Sequence, residues 1–154
     1  MTNFVSAEQI ELQKNIAEEV SELLLIRHGK QPKAFIHTYG CQGNIKGQLV
    51  QMGYIMTEEK EDADLILYNT CAIREHAEDR VFGNVGAIKK LKQSNPQLII
   101  ALCGCMMQQT HIREKLQKSY PFVDIVFGTH NQYLVPEIFK TYLTRGKRFF
   151  ADMT

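Results

Sequence analysis

The spacing of apolar residues changes character near residue 33. Before it, Leu12, Ile16, Val20 and Leu23 recur every three or four positions, the period of an amphipathic helix over residues 6–27. Ser6 with Gln9 forms a capping box at its start. His28 to Pro32 reads as a linker. After it, short apolar runs alternate with helical periodicity. The runs at 34–38, 54–57, 64–68, 98–102, 123–127 and 148–150 predict strands. Helices are predicted at 45–52, stopping at Gly53, at 75–93 with Val81, Val85 and Ile88 on one face, at 110–118 and at 136–143.

Apolar strands alternating with helices predict a parallel sheet covered on both faces. Right-handed crossovers make it doubly wound. The expected fold is a three-layer α/β sandwich with a mostly parallel, flavodoxin-like or Rossmann-like sheet of order 2-1-3-4-5, preceded by an N-terminal helix. Residues 1–32 are then helix and linker, and residues 33–150 the sheet domain. The 154 residues are 44% apolar and 23% charged, enough for a proper core. The longest apolar run, residues 98–103, is too short for a bilayer, and no signal peptide is legible near the start. A cytoplasmic protein with no membrane partner is expected. A net charge of +1 selects no partner. The basic residues Lys140, Arg145, Lys147 and Arg148 read as a solvated helix end rather than a phosphate contact.

Four cysteines in a cytosolic chain point to metal ligands, catalytic groups or buried hydrophobes rather than disulfides. Cys41, Cys71 and Cys105 fall just beyond the first, third and fourth predicted strands. Those strands are neighbours in the expected order, about 4.8 Å apart. Parallel strands end at one edge, so three thiols converge on the crevice where open α/β sheets bind ligands. Glycines at 40, 43 and 104 allow close backbone approach, and N–H groups at helix starts favour thiolates and an anionic ligand. Cys103 reads as core. Zinc would want a fourth ligand and usually paired, closely spaced cysteines; no C-x-x-C exists, and His37 and His111 are the nearby histidines. Three thiolates with an open position suit an iron–sulfur cluster. A zinc or thiol-redox module on a flavodoxin-like fold is the alternative. A flavin site lacks its Ser/Thr-rich loop, and a receiver domain lacks its aspartate after the third strand.

Thr38-Tyr39-Gly40-Cys41-Gln42, the run from Asn69 through Cys71 to Glu75, and Gly104-Cys105-Met106-Met107-Gln108 resemble, in order and spacing, the N-terminal domain of the methylthiotransferases. The stretch from Arg74 to Glu78 and on to Gly83-Asn84 looks most like the subgroup that makes 2-methylthio-N6-dimethylallyladenosine in tRNA. Relatives modify another tRNA adenosine or a ribosomal protein. The resemblance implies an auxiliary 4Fe–4S cluster on Cys41, Cys71 and Cys105 that carries or donates the inserted sulfur, and tRNA as partner. It also implies S-adenosylmethionine and a second 4Fe–4S cluster in a radical domain, plus an RNA-binding domain. The C-x-x-x-C-x-x-C signature of the radical domain is absent, so the chain is expected to be inactive alone. Gly43-Asn44 runs straight into Ile45, a shorter connection than the family usually has after Cys41. That shortening predicts little bound cluster in the protein as isolated. Gln42, Asn44, Asn69, Arg74 and Gln108 flank the cysteines and read first as loop or cap groups. Met106 and Met107 read as packing groups, and Glu75 and Glu78 as complements to a helix dipole.

Overall fold

A computed structural model describes residues 7–39, 45–70, 77–128 and 134–150. Strands β1 (Lys33–Thr38), β2 (Ile55–Met56), β3 (Leu65–Thr70), β4 (Ile99–Gly104), β5 (Ile125–Phe127) and β6 (Phe149–Phe150) form one sheet. Its order is β2-β1-β3-β4-β5-β6 and every pairing is parallel. The expected order 2-1-3-4-5 holds, with β6 added beyond β5. Helices are α1 (Ala7–His28), α2 (Ile45–Gln51), α3 (Ala77–Ala87), α4 (Lys89–Ser94), α5 (Thr110–Ser119) and α6 (Val135–Arg145).

Alternation along each strand divides the core in two. Leu65, Leu67, Ile99, Ala101 and Ile125 face α1, α2 and α6. Ile66, Tyr68, Ile100, Leu102 and Val126 face the opposite layer, with Val81, Val85, Ile112 and Leu116 from α3 and α5. Every residue of β3 and β4 is buried. Sealing such a Leu or Ile contributes about 2 kcal/mol.

The buried stripe of α1 is Ile16, Ala17, Val20 and Leu24. Leu12, expected on it, is 54% exposed. The cap assigned to Ser6 lies outside the described residues. Gly29 ends α1 with φ of 70° and donates its N–H to Leu25 O at 2.8 Å, a left-handed C-terminal cap. The chain then needs only Lys30 to Pro32 to enter β1. The single helix expected over 75–93 is two: Ile88 sits at φ −90°, ψ −1°, between α3 and α4. Its N–H turns to Val85 O at 3.3 Å, a tightened turn that starts α4 in a new direction.

Two aspartates tie the amino edge of the sheet. Asp64 accepts from Lys33 N at 2.9 Å and Lys30 Nζ at 3.0 Å. Asp124 accepts from Ile100 N at 2.9 Å, Lys92 Nζ at 2.6 Å and the Tyr142 hydroxyl at 2.9 Å. The basic C-terminal cluster is partly structural rather than simply solvated. Lys140 pairs with Glu19 at 2.7 Å, and Arg148 donates to the carbonyls of Val123 and Tyr120.

Candidate metal centre at the carboxyl edge of the sheet

The described strands end together where the sequence places its cysteines. Thr38 pairs with Asn69, and Asn69 with Cys103, in one row across β1, β3 and β4. One residue further, Tyr39 N donates to Asn69 O at 2.8 Å, and Thr70 pairs with Gly104. Cys105 follows at once and opens a single 3-10 turn, Cys105–Gln108. Cys41 and Cys71 lie outside the described residues, as do Gln42, Asn44, Arg74 and Glu75. In the chain, Cys71 directly follows Thr70, and Cys41 comes two residues after Tyr39.

Polar residues carry β3 two positions beyond its expected end, and Gly104 ends β4 beyond Leu102. Thr70 is fully buried, and its hydroxyl donates to Cys103 O at 2.7 Å. Asn69 is 2% exposed and accepts from Cys103 Sγ at 3.8 Å. Its side chain is part of the interior, not a loop cap. Gly104 has φ of 107° and ψ of −179°, a backbone region essentially reserved for glycine. A Cβ there would stand 2.2 Å from Thr70 O. The sequence reading gave this glycine the task of admitting a ligand; its visible task is to let β4 close on β3.

The two described cysteines differ sharply. Cys103 is buried in the first core, and desolvation lifts its thiol far above the ordinary range, so it stays protonated. That matches its reading as core. Cys105 is partly exposed, with Sγ 3.9 Å from Thr70 O. Met106 and Met107 are buried in the second core, as expected. Gln108 packs on Gly128, whose Cβ position lies 2.7 Å from Gln108 Cγ.

The histidines weighed as a fourth ligand have other neighbours. His37 is exposed on β1, its ring centroid 4.4 Å from that of Tyr39 and 6.1 Å from that of Tyr68. Tyr39 also accepts from the Asn84 amide of α3. Burial, and next the Tyr39 hydroxyl, push the Tyr68 hydroxyl up to about 12. His111 Nε2 lies 3.5 Å from Glu78 Oε2, across the first turns of α5 and α3. Among the described residues, no three His, Cys, Asp or Glu side chains gather closely enough to hold a metal ion. Beside the tips of β1 and β3, a cavity of about 520 Å³ is lined by Thr38, Lys46, Glu58 and Asn69 among others.

Residues 33–128 match the family model described as "Uncharacterized protein family UPF0004". The chain belongs to this family. Its curated relatives decide the resemblance drawn from the motifs. The chain is 50% identical over 140 residues to the tRNA-2-methylthio-N(6)-dimethylallyladenosine synthase of Alkaliphilus oremlandii, covering 87% of this chain and 29% of the relative. It is 53% identical over 120 residues to the synthase of the same name from Clostridium tetani, covering 74% and 26%. With that of Acetivibrio thermocellus it shares 42% over 144 residues, covering 88% and 30%. This UPF0004 chain thus resembles the methylthiotransferases, and spans under a third of the length of these relatives. Among the described residues no helix is long and apolar enough to cross a membrane.

Sequence reasoning missed Thr70 and the backbone of Gly104. The available signal was a threonine and a glycine each immediately preceding a candidate ligand. Periodicity gives no weight to a polar residue at the end of an apolar run.

Proposed function

We propose that this chain forms the N-terminal part of a tRNA methylthiotransferase and holds an auxiliary 4Fe–4S cluster through Cys41, Cys71 and Cys105. The observation that carries the reading is the common ending of β1, β3 and β4 at one edge of the sheet. In the chain, Cys41, Cys71 and Cys105 each follow one of those three ends within three residues. The described donor fits a cluster: Cys105 is reachable at a strand tip, whereas buried Cys103 is not. When bound, the cluster supplies the sulfur that is inserted. The protein's own part is to deliver thiolates from fixed strand ends and keep Cys103 out of the ligand set.

The substrate is N6-dimethylallyladenosine beside the anticodon of tRNA, in keeping with the printed names of the relatives. Catalysis also needs S-adenosylmethionine, a second cluster in a radical domain, and an RNA-binding domain, all working in the cytoplasm. Anaerobic reconstitution with iron and sulfide tests the cluster. The chain gains broad visible absorption and about four irons. Cys41→Ala, Cys71→Ala and Cys105→Ala lose the absorption, and Cys103→Ala keeps it. A colourless protein that takes zinc instead overturns the reading.

A further inference from the structure

Tyrosines aside, the polar residues buried as whole residues among those described are Asp64, Asn69 and Thr70. Asp64 ties strands at the amino edge. The other two are consecutive and end β3 at the opposite edge. Burying polar groups is costly without partners, so their placement calls for a specific task.

Thr70 closes on the β4 tip through both its side chain and its backbone. Its hydroxyl donates to Cys103 O at 2.7 Å, reaching back one residue from its register partner Gly104. Its backbone N and O lie 2.8 and 2.2 Å from the position a Gly104 Cβ would take. Its carbonyl lies 3.9 Å from Cys105 Sγ. Asn69 adds the contact with the Cys103 thiol at 3.8 Å. These are the last rows of the β3–β4 ladder, because β4 turns into a 3-10 turn at Cys105. Valine would fill the same volume as threonine but donate no hydrogen bond.

We propose that Thr70, through its hydroxyl bond to the Cys103 carbonyl, is a positioning residue for the cluster. It fixes the separation of the two tips from which Cys71 and Cys105 depart. The inference rests on the cluster reading above. A ligating thiolate carries no proton, so the Cys105 contact with Thr70 O belongs to the thiol form. The hydroxyl bond to Cys103 involves no ligand atom and persists when the thiol proton leaves. The clasp therefore holds the tips while Cys105 turns to a metal.

The test compares reconstituted wild type, Thr70→Val, Thr70→Ser and Cys105→Ala by iron content, cluster release to a chelator, and the electron paramagnetic resonance spectrum of the reduced cluster. Thr70→Val should release its cluster about tenfold faster and with an altered spectrum. Thr70→Ser, which restores the donor, should return both to wild type. Wild-type release and spectrum in Thr70→Val overturn the clasp while leaving the cluster reading intact. A wild type that takes up no iron, or a Cys105→Ala that keeps all of it, overturns both. Should Thr70→Val not fold, Thr70→Ala carries the same comparison.

Discussion

Gly104 combines a positive φ with a neighbour too close for any side chain. The backbone region alone costs a non-glycine residue about 1–3 kcal/mol. The Thr70 carbonyl, 2.2 Å from the Cβ position, adds a clash with backbone that no rotamer relieves. Gly104→Ala should therefore lose at least about 3 kcal/mol of stability, measured by urea unfolding. An alanine variant as stable as wild type would show that the β4 tip does not close on β3 as described. The two thiols flanking this glycine follow the same local logic. Strand alternation sends Cys103 into the first core beside Asn69, where burial keeps it neutral. The glycine turn then breaks the alternation and leaves Cys105 partly exposed at the sheet edge. One residue of separation thus turns a core thiol into a candidate ligand.

The elements show which features hydrophobic spacing can reveal. Strand order was legible because each strand is apolar and each crossover helical, and parallel connections permit few alternatives. The break between α3 and α4 was not. Val81, Val85 and Ile88 continue in period to Leu91, and both helices turn the same apolar face to the second core, so the pattern runs through the break. The end of β3 was hidden for the opposite reason. Asn69 and Thr70 look like loop residues, yet they stay in the ladder because the sheet is covered on both faces there. The placements of Cys41 and Cys71 were legible only as chain positions. At the other end of the strands, α1 is anchored by His28, whose side chain is 2% exposed and whose Nδ1 lies 3.8 Å from Asp64 Oδ1. Desolvation depresses its pKa below the ordinary 6.5, and Asp64 offsets this only in part. The unfolded chain therefore binds this proton more readily than the folded one. Stability is unaffected by this group well above pH 6.5 and falls as pH drops below it, by up to about 1.4 kcal/mol per pH unit. His28→Asn should flatten that part of the melting-temperature profile between pH 7.5 and 5.5. An unchanged slope in the variant would assign it to other groups.

Across the described residues, the two edges of the sheet are built differently. Its amino edge is bound by Asp64 and Asp124, each accepting a backbone N–H and at least one lysine. Its carboxyl edge carries Cys105, and in the chain Cys41 and Cys71 follow the ends of β1 and β3. The proposed reading also predicts what the chain does alone. Four cysteines are present, and Cys103 is buried and protonated, which leaves three for ligation. Three thiolates serve one cluster. The proposed reaction needs two, the second bound to S-adenosylmethionine. This chain, fully reconstituted and given S-adenosylmethionine, a reductant and tRNA bearing N6-dimethylallyladenosine, should therefore form no methylthio product while still absorbing in the visible. Nucleoside analysis of the recovered tRNA by mass spectrometry reads the outcome. Product above the protein-free control would mean that one cluster site supports both steps, and would overturn the division of labour argued from the thiol count.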